Sequence, residues 1–286
     1  GDRYELLSVC SAAMNARIPV AHISGGETTQ GAIDESVRHC ITKMSYLHFP
    51  ACETYRKRII QLGEEPDRVY NFGDVGVEMV HTIPKMTKQE LEASIDFTLD
   101  KPFFSVTFHP VTLEVEEAEK QMKEVLSALD EFPEMKFVFT KANADAGGRS
   151  INNLIDQYTA THNNCIAFAS LGIKRYLSLL QYANGVLGNS SSGIVEAPAF
   201  GIPTINIGNR QKGRLQADSI LNCEPKRDQI VKMIIRSQSK EFTERAKRTK
   251  NPYGNGDTSN QIVQVITDYL YQNKIILQKK FYDIVF

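Results

Sequence analysis

Gly188-Asn189-Ser190-Ser191-Ser192-Gly193 is the stretch of sequence that decides the fold. The apolar run 182–187 before it predicts a short buried strand, and residues 194–200 after it predict the first turns of a helix. In such a strand-turn-helix unit, free backbone N–H groups and the positive end of the helix dipole face one point. The stretch, called the Ser loop below, therefore predicts an α/β sheet and a place for an anion.

A basic arm, residues 208–214, follows the next predicted strand. It places Arg210, Lys212 and Arg214 between glycines, so that cations can approach a ligand without bulky neighbours. A serine-rich cap on an ordinary helix would explain the Ser loop alone equally well. The nearby arm favours an anionic ligand, for which a diphosphate is the natural candidate.

Strand and helix patterns alternate in two series along the 286 residues. The first series ends before a Lys/Glu-rich stretch that contains Pro84 and has no strand signal, and the second begins at Pro102. Alternation of this kind predicts doubly wound parallel sheets. We therefore expect two Rossmann-like domains, residues 1–98 and 99–286, which face each other across a cleft.

Composition argues against several classes of protein. The formal net charge of −1 gives no global basic field for nucleic acid, and no apolar run reaches the length of a membrane span. The five cysteines are scattered without a Cys-x-x-Cys pair. They predict reduced thiols in a cytoplasmic protein rather than a zinc site or a disulfide framework.

Charged residues gather at the predicted strand ends and helix starts of the first domain: Asp2, Arg3, Glu27, Asp34, Glu35, Arg38 and His39. Two pairs, Asp34/Arg38 and Glu35/His39, are four residues apart and so share a helix face. A surface ion-pair ladder would explain them in isolation. Their position beside the glycines at 25 and 26 weakens that explanation, and a ligand site is the alternative.

The second domain has two further candidates. His109 ends a predicted strand at the mouth of the sheet, where proton transfer often takes place, although a hydrogen-bonded loop histidine fits as well. Glu196 follows the Ser loop, where an acid would repel phosphate unless it meets ribose hydroxyls; a helix-dipole acid is the alternative. Metal-ligand spacings, a P-loop and Gly-x-Gly-x-x-Gly do not occur.

Six motifs together resemble the hydrolysing UDP-N-acetylglucosamine 2-epimerases, and they occur in the family's order over most of the chain. They are Gly-Asp-Arg-Tyr-Glu at 1–5, His-Ile-Ser-Gly-Gly-Glu at 22–27, Gly-Ala-Ile-Asp-Glu-Ser-Val-Arg-His at 31–39, Val-Thr-Phe-His-Pro at 106–110, the Ser loop, and Arg-Gln-Lys-Gly-Arg at 210–214. The resemblance implies a GT-B fold in which the second domain holds most of UDP and its last helix packs back on the first domain.

The resemblance also implies a reaction. UDP-GlcNAc would lose UDP across C1–C2 to give a 2-acetamidoglucal, and water would then add to give N-acetylmannosamine for sialic-type acid biosynthesis. On the family pattern, Asp2, Asp34 and His109 are implied catalytic residues. Some members carry an essential Glu where this chain has Ser24, and Glu27 is the nearest acid.

Other positions match the family's substrate contacts: Arg3, Glu35, Arg38, Ser190, Ser191, Ser192, Gly193, Glu196, Arg210, Lys212, Gly213 and Arg214. The resemblance implies that the serines and arginines hold the diphosphate and that Glu196 holds the ribose. It also implies no cofactor, no metal, and a homo-oligomer, either a dimer or a tetramer.

Several alternatives stay open. The same reaction on UDP-N,N′-diacetylbacillosamine, for legionaminic acid, is one; a non-hydrolysing epimerase, a GT-B glycosyltransferase and a non-catalytic UDP-sugar-binding regulator are others. The family begins well before Gly1, so about three βα units of roughly 30 residues each are expected to be missing. We therefore expect the chain alone to be incomplete as a catalyst, which a normal rate of UDP release from a UDP-sugar would disprove.

Overall fold

The computed structural model describes residues 3–30, 34–111, 117–143, 147–272 and 274–284, and the chain divides into two compact units. Unit 1 consists of Gly1–Thr29, Ile33–His81 and Pro252–Phe286. Unit 2 consists of Thr82–Asn251 together with the short segment Gln30–Ala32. Unit 1 is therefore assembled from separate stretches of chain, whereas unit 2 is nearly continuous.

Unit 1 contains a small parallel sheet surrounded by helices. Its strands are β1 (Ala21–Ile23) and β2 (Leu47–Phe49), and its helices are α1 (Tyr4–Asn15), α2 (Asp34–Met44), α3 (Glu53–Gln61), α4 (Val75–Thr82) and, from the end of the chain, α12 (Thr258–Tyr271). β1 pairs in parallel with β2 and aligns His22 with His48. Beyond β2, Val69 forms one parallel bridge with His48.

Helix α12 is fixed in unit 1 by packing and by a cap from another helix. Its Ile262 is buried in a cluster with Tyr46 and Phe49. The α4 side chain of Glu78 accepts hydrogen bonds from Ser259 N, at 3.0 Å, and from Ser259 Oγ, at 2.7 Å. This carboxylate satisfies one orphan backbone donor at the N-terminus of α12, where the N-cap residue Asp257 makes no side-chain cap hydrogen bond.

Residues 274–284, called the tail below, run over unit 1 without helix or strand. Tyr282 N donates to Gly63 O at 3.0 Å, and Lys279 Nζ lies 2.7 Å from a carboxylate oxygen of the fully buried Glu64. The sequence patterns gave no position for this segment. Its contacts show that it is a packed part of unit 1.

Unit 2 is built on a parallel sheet of six described strands in the order β5-β4-β3-β6-β7-β8. The strands are β3 (Phe103–Thr107), β4 (Lys136–Thr140), β5 (Cys165–Phe168), β6 (Gly185–Gly188), β7 (Thr204–Ile207) and β8 (Ile220–Cys223). The helices are α5 (Lys88–Ile95), α6 (Ala118–Leu129), α7 (Gly148–Thr161), α8 (Gly172–Tyr182), α9 (Ser192–Val195), α10 (Arg227–Ser237) and α11 (Lys240–Lys247).

The sheet of unit 2 is covered on both faces. Every residue of β3, β6 and β7 is buried, as expected for parallel strands between two layers of helices. The predicted class, α/β with doubly wound parallel sheets, is confirmed. Among the residues described, no helix has both the length and the apolar character that a bilayer span requires.

The order of strands in unit 2 reverses between β3 and β6. From β3 the chain moves outward through β4 and β5 on one side, and from β6 it moves through β7 and β8 on the other. Open α/β sheets bind ligands in the crevice outside the carboxyl ends of the strands at such a reversal. His109 follows β3 and the Ser loop follows β6, so both lie at this point.

Candidate functional site

The Ser loop begins where the ends of β3 and β6 come into direct backbone contact. Gly188 has a φ of +133°, and a Cβ at this position would lie 1.9 Å from Thr107 O. The next residue, Asn189, donates its backbone N–H to the same oxygen at 3.0 Å. Only glycine permits this approach, which brings the Ser loop against the end of β3.

Asn189 joins the Ser loop to His109. His109 N donates to Asn189 Oδ1 at 2.7 Å, and Asn189 Nδ2 donates to His109 O at 2.8 Å. The carboxamide thus behaves like one more peptide group in the β3–β6 ladder, which ends at the Thr107–Gly188 pair. Asn189 is 1% exposed, and sequence reasoning missed it because its partner lies 80 residues earlier in the chain.

The basic arm is anchored to the same residue. Arg210 Nη1 donates to Asn189 O at 3.2 Å, and Gln211 Nε2 donates to it at 2.7 Å. Gln211 is 2% exposed and was also missed. Its uncharged amide, placed between Arg210 and Lys212, was the sequence feature that could have pointed to this structural role. The structure therefore brings His109, the Ser loop and the start of the arm together.

The rest of the arm lies nearer the surface. Arg214 is half-buried, whereas Lys212 and Gly213 are exposed. Arg214 N donates to Gln211 O at 3.1 Å, which closes a turn within the arm. Gly213 has a φ of +90°, so the turn uses a conformation that favours glycine.

The helix after the Ser loop is much shorter than expected. α9 is a single turn, followed by a 3-10 turn over Ala197–Phe200 that contains Pro198 and ends at Gly201, whose φ is +65°. Proline removes a backbone donor and disfavours helical continuation. Individual N–H and O–H groups, rather than the dipole of a long helix, are therefore the donors here. Half-buried Glu196 lies at the junction of the two turns.

Two residues of the Ser loop are hydrogen-bonded to side chains from other parts of unit 2. The hydroxyl of Tyr176 donates to Ser192 Oγ at 2.8 Å, and Thr204 Oγ1 donates to Gly193 O at 2.7 Å. Burial raises the pKa of Tyr176, so its hydroxyl stays protonated and remains a donor. Half-buried Ser190 and Ser191 form the part of the loop nearer to Asn189.

In unit 1, the start of α2 is tied to the loop that follows β1. Arg38 is 2% exposed, and its Nη1 lies 3.2 Å from Glu35 Oε2 and 3.1 Å from Thr29 Oγ1. The same Glu35 oxygen accepts from Thr29 N at 2.6 Å, and Glu35 Oε1 lies 3.3 Å from His39 Nε2. Arg38 also donates to Glu27 O at 3.4 Å. The predicted residues Glu27, Glu35 and Arg38 thus form one cluster.

The remaining candidates of unit 1 are Asp34, Arg3 and Asp2. Asp34 is the half-buried first residue of α2, and Arg3 is exposed with its Nε 3.4 Å from Glu5 Oε2. Asp2 lies outside the described residues, as do positions 31–33 of the third motif. Within the described ranges, no group of three or more His, Cys, Asp or Glu side chains is arranged to hold a metal ion.

Comparison with known proteins gives a family match and several relatives. A family model described as UDP-N-acetylglucosamine 2-epimerase matches residues 1–267. A Campylobacter jejuni protein named GDP/UDP-N,N′-diacetylbacillosamine 2-epimerase (hydrolyzing) is 44% identical over 243 residues, which are 85% of this chain and 63% of the relative. The chain therefore spans less than two thirds of that relative's length.

Two other relatives cover nearly the whole chain. The Escherichia coli polysialic acid biosynthesis protein P7 is 40% identical over 99% of this chain and 72% of its own length. A Legionella pneumophila UDP-N,N′-diacetylbacillosamine 2-epimerase (hydrolyzing) is 30% identical over 96% of this chain and 71% of its own length.

Solved structures share the fold. The Neisseria meningitidis UDP-GlcNAc 2-epimerase bound to UDP-GlcNAc aligns with a TM-score of 0.78 and 19% identity over 91% of this chain and 72% of that one. The Methanocaldococcus jannaschii UDP-GlcNAc 2-epimerase in complex with UDP-GlcNAc and UDP aligns with a TM-score of 0.75 and 18% identity, over 93% and 74%.

Proposed function

The chain belongs to the UDP-N-acetylglucosamine 2-epimerase family, and we propose that it is a hydrolysing 2-epimerase that converts UDP-GlcNAc to N-acetylmannosamine and UDP. The observation that carries the proposal is the 44% identity, over 85% of this chain, to a relative whose name specifies a hydrolysing 2-epimerase. The second relative named in this way, from Legionella, supports the same reaction class.

The proposed reaction has two steps. In the first, a carboxylate takes the C2 proton while the C1–O bond breaks and its electron pair leaves with UDP, which produces the 2-acetamidoglucal. In the second, water adds across C1=C2, with hydroxide to C1 and a proton to C2. We propose Asp2 and Asp34 as the acting carboxylates, and the assignment of base between them is open. Glu27 is a third candidate acid.

For the diphosphate we propose contacts from unit 2. Ser190, Ser191, Arg210 and Arg214 supply hydroxyl and guanidinium donors, and donors aimed at a departing phosphate stabilise the charge that develops on it. Two observations support this placement. The strand order reverses at this point, and the basic arm is hydrogen-bonded to the Ser loop through Asn189.

Other proposed contacts are with the nucleotide, from unit 2, and with the rest of the substrate, from unit 1. Glu196 would hold the ribose hydroxyls, with further contacts to the nucleotide from Ser192, Gly193, Lys212 and Gly213. On unit 1 we propose Arg3, together with Glu35 and Arg38. Because Arg38 is buried and bonded to the loop at 27–29, we propose that Glu35 and Arg38 act on substrate by shaping this loop.

A second candidate substrate is UDP-N,N′-diacetylbacillosamine, which the names of two relatives favour. The test is to incubate the protein with each UDP-sugar and to follow sugar products and free UDP by NMR. Free UDP with a 2-epimerised free sugar supports the proposal. UDP retained on the epimerised sugar would indicate the non-hydrolysing enzyme. A glycosylated acceptor would indicate a transferase, and UDP binding without turnover would indicate a regulator.

We further propose that the protein works in the cytoplasm as a homo-oligomer, a dimer or a tetramer. Light scattering coupled to size-exclusion chromatography tests the assembly. A monomer across micromolar concentrations would contradict it.

A further inference from the structure

His109 is held on two sides within unit 2. Its backbone N–H and C=O are both bonded to the carboxamide of Asn189, at 2.7 and 2.8 Å. Its ring nitrogen Nδ1 lies 3.2 Å from the backbone N of Asn143, which donates to it. These contacts come from the segments that follow β6 and β4, the two neighbours of β3 in the sheet. Both the position and the ring orientation of His109 are therefore set by adjacent strand ends.

The N–H of Asn143 is itself held in place. Asn152, on α7, pairs with both backbone groups of Ala142: its Oδ1 accepts from Ala142 N at 2.7 Å, and its Nδ2 donates to Ala142 O at 3.1 Å. On the other side, a Cβ at Gly148 would lie 2.2 Å from Asn143 O, so the backbone is closely packed there. The N–H that donates to His109 thus belongs to a segment that is held by hydrogen bonds and close packing.

This geometry decides where a neutral His109 carries its proton. A neutral imidazole has one N–H and one acceptor nitrogen, and a nitrogen that accepts a hydrogen bond cannot be the protonated one. Because Nδ1 accepts from Asn143 N, the proton of the neutral ring lies on Nε2. The opposite tautomer would set two N–H groups against each other.

We propose that Asn189 and Asn143 are positioning residues that hold neutral His109 as the Nε2–H tautomer, and that this N–H donates a hydrogen bond to the departing diphosphate. The second half rests on the proposed function. Asn189 links His109 to the basic arm, because its carboxamide is bonded to the His109 backbone while its backbone oxygen accepts from Arg210 and Gln211. The proposed His109 donor and Arg210 are therefore both positioned by hydrogen bonds to Asn189.

The chemistry requires only a donor at this place. In the elimination, the C2 proton passes to a carboxylate and the C1–O electron pair passes to a phosphate oxygen, while His109 keeps its proton. A terminal phosphate has its second pKa near 6, so UDP can leave as an anion at neutral pH without being protonated first. A preorganised donor lowers the barrier by stabilising the charge on the leaving oxygen.

The tautomer is tested directly by NMR of the protein labelled with [15N]histidine. The protein has six histidines, and the His109 signals are assigned by their loss in His109→Gln. At a pH where the ring is neutral, we expect an Nε2–H pattern that shifts at Nε2 when UDP is added. An Nδ1–H pattern, or rapid averaging of the two tautomers, would overturn the positioning role.

The role of Asn189 is tested with Asn189→Asp, which keeps the shape but replaces the donor to His109 O with an oxygen. We expect the His109 signals to move toward averaged tautomers, and kcat to fall about 10-fold or more with a smaller change in KM. Asn153→Asp, at an exposed position on α7, is the matched control and should change neither. Unaltered His109 signals in Asn189→Asp would contradict the proposal.

Two substitutions at His109 separate donation from proton transfer. Glutamine can place an N–H near the position of Nε2, whereas phenylalanine keeps the ring size without a donor. We expect about a 100-fold loss of kcat in His109→Phe and recovery of about a tenth of wild-type kcat in His109→Gln. Equal losses would overturn the donor role. If calorimetry shows no UDP binding to the wild type, the proposed function fails, and the tautomer is judged by the NMR result alone.

Discussion

At Gly188, the absence of a side chain allows two strand ends to touch. Gly188→Ala would place a Cβ 1.9 Å from Thr107 O, at a φ of +133° that alanine disfavours. We expect the free energy of unfolding to fall by about 3 kcal/mol or more, measured by urea denaturation. Gly172→Ala is the control, because its φ of +66° is also positive but nothing lies within 4 Å of the added Cβ. It should cost only about 1 kcal/mol, and equal losses would show that the close contact is unimportant.

Arg214 is the residue that tests the placement of the diphosphate. A charge-assisted contact to phosphate is worth about 1.5–3 kcal/mol, so Arg214→Ala should weaken UDP binding roughly 10- to 100-fold, as measured by calorimetry. Arg248→Ala removes a guanidinium from an 82% exposed side chain of the same unit and should leave the affinity unchanged. An unchanged affinity in Arg214→Ala would mean that the basic arm does not hold the diphosphate.

Individual residues show where the sequence was informative. Motif spacing led to the Ser loop and the basic arm, because their glycines and cations are close in sequence. It did not reveal Asn189 or Gln211, because each acts on a backbone group 80 or 22 residues away. Ser192 was predicted as a ligand donor, and the structure shows that its hydroxyl also accepts from Tyr176. Local sequence patterns reveal residue types and their spacing, but they do not reveal hydrogen bonds between residues far apart in the chain.

Among the elements, those with an apolar run next to turn residues were predicted, and those without this signal were missed. Strand β6 lies within the apolar run 182–187. Strand β8 was missed because an exposed asparagine, Asn222, interrupts its apolar residues. Helix α11 was missed because its composition is mostly charged, and it buries only Phe242 and Ala246. Elements of this kind are determined by tertiary packing rather than by their own sequence.

The tail is held on unit 1 by a buried charge cluster. Lys279 Nζ donates to the backbone oxygens of Lys43 and Ser45, at 2.9 and 2.6 Å, and lies 2.7 Å from Glu64 Oε2. Glu64 also lies 3.0 Å from His48 Nε2. Burial alone would raise the pKa of Glu64, but hydrogen bonds from His48, Lys279 and Lys43 lower it to about 2. Burial also lowers the pKa of His48.

These pKa shifts predict a stability that declines in two stages as pH falls. The pKa of His48 is lower in the folded state than its ordinary 6.5, so the unfolded chain takes up the proton first and stability decreases below about pH 6.5. The lowered pKa of Glu64 stabilises the fold above its ordinary 4.5, and this contribution is lost between about pH 4.5 and 2. Urea midpoints measured across this range test both stages.

Glu64→Gln isolates the second stage. It leaves Lys279 and Lys43 without their buried anion, so we expect a loss of about 3–5 kcal/mol at pH 7 and a flatter profile below pH 4.5. Glu53→Gln is the control, because Glu53 is 54% exposed and pairs with Arg56 on the surface of the same unit. A loss in Glu64→Gln no larger than in this control would show that the cluster does not secure the tail.

For the molecule as a whole, UDP binding should depend on unit 2, whereas turnover of the UDP-sugar should depend on both units. The contacts proposed for the diphosphate all lie on unit 2, whereas Asp34 begins a helix of unit 1. Asp34→Asn should therefore reduce turnover of the UDP-sugar by about 100-fold or more while UDP affinity stays within twofold of wild type. Steady-state kinetics and calorimetry on the same preparation measure both. A matching loss of UDP affinity would place Asp34 among the nucleotide contacts.

Unit 1 is built from pieces that the ribosome makes far apart in time. Tyr46 donates its hydroxyl to Lys274 O, 228 residues later, and Tyr55 is paired with Tyr253. At roughly 5–20 residues per second, these partners emerge on the order of 10–45 seconds apart. Meanwhile the whole of Thr82–Asn251 can leave the exit tunnel and fold. Unit 2 can therefore fold before unit 1 is complete, because unit 1 requires the stretch Pro252–Phe286, which is synthesised after Thr82–Asn251.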